Sequence, residues 1–176
     1  GNNLVRLLLS KNHKVRASVR NLKNKQPFDG LACEIVHADI TDRESLKKAF
    51  KNVTNLYAVG ANFSLWAKNP KVEIYDNNVQ GTQNVFDIAN ECGIKNIVFV
   101  SSVASLDFTK LPANVVNGYN KDRRNWYYNS KNDSDKLALE LGKKYGIRTL
   151  LVLPSAMIGS EAHKLSYSNN LVYQII

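Results

Sequence analysis

The sequence is short of the residues that build metal sites and disulfide frameworks. It has two cysteines, Cys33 and Cys92, in no Cys-x-x-Cys or Cys/His spacing, and three scattered histidines, His13, His37 and His163. No metal site is indicated, and the cysteine usage suits a reducing cytosol. Long apolar runs are missing as well. Residues 4–9 are too few to cross a membrane, are broken by Arg6, and do not read as a secretory signal. Acids are outnumbered, 15 against 24 lysines and arginines, for a net charge of +9. The lysines are spread along the chain with no basic stripe interleaved with aromatics. Solvated helix faces and phosphate-holding sites therefore explain the excess better than nucleic acid does. Repeats, low-complexity tracts and linkers are absent, and 176 residues make one domain with a sizeable core.

What is present alternates between helix and strand. After Gly1, residues 2–10 form a helical pattern with Leu4, Val5, Leu7, Leu8 and Leu9 on an apolar face. Strand-like runs follow at 14–19, 34–37, 56–59, 96–100 and 148–153. Thr41 reads as the cap of a helix reaching about Lys51, with Glu44 three residues on. A long helical pattern runs to Cys92 and is stopped by Gly93. Between 109 and 125 lies a polar, Asn-rich loop, and 169–176 resembles the start of a further helix. The later strands are continuous apolar runs, which predicts a parallel sheet buried on both faces in an α/β doubly wound domain.

The most informative stretch is 126–140, WYYNSKNDSDKLALE, read with Leu137, Leu139 and Leu141 as a helix ending at Gly146. Lys131 follows Tyr127 by four residues, so a helix puts both on one face. A nearby ammonium favours the phenolate, which predicts a lowered phenol pKa and proton exchange near neutral pH. Alone the pair says little, since about one Tyr-x-x-x-Lys is expected by chance in such a chain.

A doubly wound sheet begins with a strand, a glycine-rich turn and a helix. Here a helix follows a single glycine, so the first, central strand is expected to be missing. Most of the C-terminal substrate region is expected to be missing likewise. The expected division is a nucleotide-binding domain over 1–160 and the start of a substrate region over 161–176.

Seven motifs, in order, resemble the extended short-chain dehydrogenase/reductases, the NAD-dependent epimerase/dehydratase family, in its dihydroflavonol-4-reductase-like branch. They are VRASVRN (15–21), HADITD (37–42), NLYAVGAN (55–62), NNVQGTQNV (77–85), FVSSVAS (99–105), YYNSK (127–131) and LPSAMIG (153–159). The resemblance implies a Rossmann-like domain with Ser102, Tyr127 and Lys131 as the catalytic set. It implies that Gly1 ends the glycine turn at the pyrophosphate, although the turn's other two glycines are absent. Arg20, where NAD-preferring relatives carry an acid, suits a 2′-phosphate. Asp39 and Ile40 match the pair around the adenine. Val59, Gly60 and Ala61 match small residues beneath the cofactor, beside Ala58, where relatives often have histidine. Pro154 matches a segment at the nicotinamide end, and Asn78 a supporting position.

The implied activity is reduction of a ketone or aldehyde by hydride transfer from NADPH, in preference to NADH, on a small carbonyl or alcohol substrate. No nucleic-acid or membrane partner is expected, the expected location is cytoplasmic, and oligomeric state stays open. Two alternatives remain: an NAD-dependent nucleotide-sugar epimerase/dehydratase using the same three residues, and a non-catalytic NADP-sensing module. These 176 residues are expected to be inactive by themselves.

Overall fold

The computed structural model describes residues 1–63, 67–159, 170 and 174. The chain divides into two compact units, Gly1–Asp39 with Ala156–Ile176, and Ile40–Ser155. In the first, helix α1 (Asn2–Ser10) precedes parallel strands β1 (Arg16–Val19) and β2 (Glu34–His37), paired from Arg16 opposite Glu34 to Val19 opposite His37. Val5, Ala17 and Phe28 form its core, with Leu9, Val15, Val19, Leu31, Cys33 and Ile35 packed around them. Leu7, expected on the apolar face, is 55% exposed. Two residues past Val5 is about 200° around the helix, so both cannot face one core.

The second unit holds helix α2 (Arg43–Phe50), strand β3 (Asn55–Ala58), helix α3 (Asn77–Glu91), strand β4 (Asn96–Val100), helix α4 (Trp126–Tyr145) and strand β5 (Arg148–Val152). The cap of α2 is Asp42, not Thr41: its carboxylate accepts from the N–H groups of Glu44 and Ser45 at 3.0 and 3.2 Å. A carboxylate both satisfies these donors and complements the positive helix end. The long helical pattern resolves into a π-helical turn, Lys71–Asp76, running into α3. It stops where Gly93 takes a φ of +75°. Asn125 caps α4, accepting from Tyr127 and Tyr128 N–H, and Gly146 ends it in the left-handed conformation.

Strands β3, β4 and β5 form a parallel sheet in that order. Burial on both faces does not hold for it. Ile97 and Phe99 are buried, with the Phe99 ring 6.2 Å from that of Phe86 on α3, whereas Tyr57, Leu150 and Val152 on the opposite face are 40–59% exposed. Successive right-handed crossovers carry α3 and α4 to the same side, which leaves the other face to be covered separately. Of the expected helix at 169–176, only Asn170 and Gln174 fall among the described residues, and Gln174 N–H donates to the Asn170 carbonyl at 3.0 Å. The substrate region expected at 161–176 otherwise lies outside them. Among the described residues, no helix is long and apolar enough to cross a membrane.

Candidate active site

Ser102 follows the end of β4. Its Oγ accepts from Ala104 N–H at 3.2 Å and caps a short 3₁₀ turn, Val103–Ser105. The end of β5 is tied to it: Ser101 N–H donates to the Val152 carbonyl at 2.8 Å, and Val103 N–H to that of Pro154 at 3.1 Å. Ser102 and Pro154 therefore share the carboxyl end of the parallel sheet, where open α/β sheets bind ligands.

The first turns of α4 bring Tyr127 and Lys131 to this edge. Tyr127 is half-buried, and the Ser102 hydroxyl is near enough to its phenol to affect its proton affinity. Lys131 is only 5% exposed, and its Nζ stands over the Tyr127 ring, 5.9 Å from the centroid. The structure thus brings Ser102, Tyr127 and Lys131 together.

Their electrostatics differ from the expectation drawn from spacing. Burial pushes the Tyr127 phenol up; the nearby Ser102 hydroxyl opposes that and Tyr128 adds to it. Lys131 is pushed down by burial, with Asp135 acting against the shift. Desolvation of each charged form outweighs the help that an ammonium at i+4 gives a phenolate.

Asn78, buried at the start of α3, braces the site. Its side-chain oxygen accepts from Asn62 N–H at 2.7 Å, and its Nδ2 donates to the Asn62 carbonyl and to Ser130 Oγ, both at 3.0 Å. Ser130 in turn donates to the Tyr127 carbonyl at 2.8 Å. The exposed Phe63 ring meets Tyr127 edge-on at 5.1 Å. Trp66, from the same aromatic loop, lies outside the described residues. The polar loop at 109–125 is anchored: Asp107 N–H reaches the Gly118 carbonyl at 3.0 Å, Asn120 N–H that of Ser105 at 2.8 Å, and Arg123 pairs with Asp133 through both guanidinium nitrogens.

Among the remaining predicted residues, Ile40 and Gly60 lie close together. A Cβ on Gly60 would stand 4.0 Å from Ile40 Cγ2, and the Ile40 carbonyl accepts from Asn84 Nδ2 at 2.9 Å. Val59 and Ala61 flank Gly60 after β3, Val59 half-buried and Ala61 exposed. Gly1, Arg20 and Asp39 belong to the other unit: Gly1 begins α1, Arg20 is exposed beyond β1, and Asp39 is half-buried after β2. Reading the sequence missed Asp135, which is fully buried behind Lys131. Its signal was there, as a second i,i+4 step on the Tyr127/Lys131 face.

The model of the NAD dependent epimerase/dehydratase family matches residues 1–176. The chain belongs to that family. Proteins resembling it include sterol demethylase protein B of Methylococcus capsulatus, 36% identical over 106 residues, covering 60% of this chain and 32% of that protein. Dihydroflavonol 4-reductase of Hordeum vulgare is 26% identical over 183 residues, 90% of this chain and 50% of that one. The chain spans half or less of the length of these relatives. In fold it resembles yeast methylglyoxal/isovaleraldehyde reductase complexed with NADPH, at a TM-score of 0.76 and 18% identity over 89% of this chain and 54% of that one. It also resembles Thermus thermophilus UDP-glucose 4-epimerase in complex with NAD, at 0.81 and 16% over 98% and 57%. These likenesses establish the Rossmann-like doubly wound fold for this family member.

Proposed function

We propose that the protein reduces a ketone or aldehyde to an alcohol with NADPH, and that Ser102, Tyr127 and Lys131 handle the proton and the developing charge. The observation that carries this reading is the buried Lys131 Nζ standing 5.9 Å from the centroid of the half-buried Tyr127 ring, with Ser102 near enough to act on the phenol. A phenol pushed up by burial stays protonated at neutral pH, and that is the form that can donate.

The residues fit a nicotinamide dinucleotide. Around Gly1 a Cβ would meet nothing within 4 Å, and the first turn of α1 holds no acid to repel a pyrophosphate. Arg20 offers a planar fork suited to a 2′-phosphate. Asp39 and Ile40 would bracket the adenine, Val59, Gly60 and Ala61 would leave room beneath the cofactor, and Pro154 would stand at its nicotinamide end. When bound, the reduced nicotinamide supplies the hydride. The chain's own residues do the rest. Tyr127 gives its hydroxyl proton to the substrate oxygen as the carbonyl carbon gains the hydride, Ser102 hydrogen-bonds that oxygen, and the Lys131 charge favours the phenolate left behind.

The competing reading, a nucleotide-sugar epimerase or dehydratase that retains NAD, is favoured by the family's name and by the likeness to the Thermus epimerase. Arg20 and the exposed Phe63 ring beside Tyr127 support the reductase and a less polar substrate. The relative named for dihydroflavonol reduction supports it too. Nicotinamide fluorescence titration of the whole protein separates the two. NADPH binding tighter than NADH, and weakened by Arg20→Ala, supports the reductase. NADH preference indifferent to Arg20→Ala moves the assignment to the epimerase, and no binding of either sinks both.

A further inference from the structure

The loop between the Ser102 turn and α4 carries a surface that the proposed chemistry does not use. An antiparallel bridge between Leu106 and Tyr119 closes its base. Within it Leu111, Val115 and Val116 are 82%, 71% and 90% exposed. Single exposed aliphatics are ordinary, but three so close in sequence and so open to water make an apolar tip.

The asparagines that make this segment read as polar are occupied by the loop itself. Asn114 Oδ1 accepts from the N–H groups of Val116 and Asn117 at 2.9 and 3.2 Å, and Asn114 Nδ2 donates to the Pro112 carbonyl at 3.1 Å. Asn117 Nδ2 donates to the same carbonyl at 3.0 Å, and Gly118 N–H to that of Val115 at 3.3 Å. Peptide groups around Val115 and Val116 therefore have partners inside the loop, which lowers the cost of taking them out of water. The same bonds hold the tip in shape.

Positive charge borders it. Lys110 adjoins Leu111, and Lys121 follows Asn120, whose N–H is tied to the Ser105 carbonyl at the base. Both lysines are exposed, and both act on the Asp107 carboxylate. The acids of the segment are engaged, Asp107 by the Thr109 N–H and hydroxyl at 2.9 and 2.6 Å, and Asp122 by Arg124 at 2.6 Å. Among the described residues neither lysine forms an ion pair. An apolar tip rimmed by lysines matches the layers of an anionic bilayer. Aliphatic groups enter the boundary between headgroups and acyl chains, and ammonium groups stay among the phosphates. A protein partner fits less well, because three protruding side chains offer far less area than a stable protein interface buries.

We propose that residues 107–121 form a membrane-surface anchor, which sets Leu111, Val115 and Val116 into an anionic lipid bilayer with Lys110 and Lys121 at its headgroups. The contact is peripheral and needs no membrane-crossing helix. It departs from the expectation, drawn from composition, of no membrane partner. Nothing in it depends on Ser102, Tyr127 or Lys131, so it stands apart from the reductase reading.

The experiment is co-flotation of the whole protein with vesicles of phosphatidylcholine alone and of phosphatidylcholine with phosphatidylserine. Wild type should float with the mixed vesicles and be released as salt rises. Leu111→Ser combined with Val116→Ser should lower the partition coefficient by at least about tenfold. The thermal melt should stay unchanged, because both side chains are exposed. Lys110→Gln combined with Lys121→Gln should lower partition by about tenfold or more, on the mixed vesicles only. Failure of wild type to float overturns the proposal, whether the rest of the chain or a second copy covers the tip. Flotation that survives the Leu111/Val116 substitutions, or that ignores phosphatidylserine, overturns it equally.

Discussion

Lys131 Nζ stands over the face of the Tyr127 ring, 5.9 Å from its centroid, while the nearby Ser102 hydroxyl favours the phenolate. The lysine therefore does not reset the phenol by itself. Burial dominates both groups, raising the tyrosine and lowering the lysine.

Replacing Tyr127 with Phe removes the donor and keeps the ring packed against Phe63. Turnover should fall by about 10²–10⁴, the range for lost general acid catalysis. Stability should change by less than about 1.5 kcal/mol, the most that one hydroxyl's hydrogen bonding ordinarily contributes. Steady-state kinetics beside a thermal melt checks this, and unaltered turnover would remove Tyr127 from the chemistry.

Asn78 joins the segment after β3 to the backbone of Tyr127 through Ser130. Asn78→Ala leaves the buried Ser130 hydroxyl and both backbone groups of Asn62 short of a partner, which should cost about 1–3 kcal/mol. Denaturant unfolding measures that loss. A change below about 0.5 kcal/mol would mean that the bridge is not formed in solution.

Much of this architecture can be read from the sequence, and the exceptions have physical reasons. Strands β2 and β4 fall at 34–37 and 96–100 as expected, because short β-branched and apolar runs between turn residues leave little choice. The cap of α2 moves from Thr41 to Asp42, since two adjacent cap-forming residues compete and only geometry decides between them. The π-helical turn before α3 was not legible, because one widened turn barely changes the side-chain pattern. In α4 the apolar residues mislead: Leu139 is 46% exposed, while Asn129, Ser130, Asn132, Ser134 and Asp135 are buried. A helix that turns its polar face inward around a site defeats a hydrophobic pattern. For the same reason the joining of Ser102 to Tyr127 could be reached only by resemblance. The roles of Gly1, Arg20 and Asp39 likewise rest on resemblance alone.

Gly81 in α3 packs against Ile40, one of the residues expected near the adenine. A Cβ there would stand 2.5 Å from Ile40 Cδ1 and 3.0 Å from its Cβ, too close for the isoleucine tip alone to yield. Gly81→Ala should therefore destabilise by about 1–3 kcal/mol despite alanine's better helix propensity. That corresponds to about 2–4 °C in melting temperature per kcal/mol for a chain of this size. Adding Ile40→Val removes Cδ1 and should recover part of the loss, a non-additivity that a double-mutant cycle measures. Fully additive effects would show that the two residues do not meet.

Asp133 ties α4 to two other segments. It accepts from Tyr75 Oη at 2.8 Å and from the Arg123 guanidinium at 3.1 and 2.5 Å. Burial raises its carboxyl, but the hydrogen bonds from Arg123 and Tyr75 and the charges of Arg123 and Lys136 outweigh that, leaving it below the usual 3.8. With the folded value depressed, the unfolded chain takes up the proton first as pH falls. The stabilisation is therefore fully present above about pH 4 and is lost as pH drops through the folded value. Asp133→Asn should cost about 1–3 kcal/mol at pH 7 through the lost charge-assisted bonds. It should also flatten the fall of melting temperature below pH 4, because the variant has no proton to bind there. Melting curves of both proteins from pH 7 to pH 2.5 test the two effects together. Parallel curves across the acid range would mean that the Asp133 carboxylate is not held by Arg123 and Tyr75 in solution.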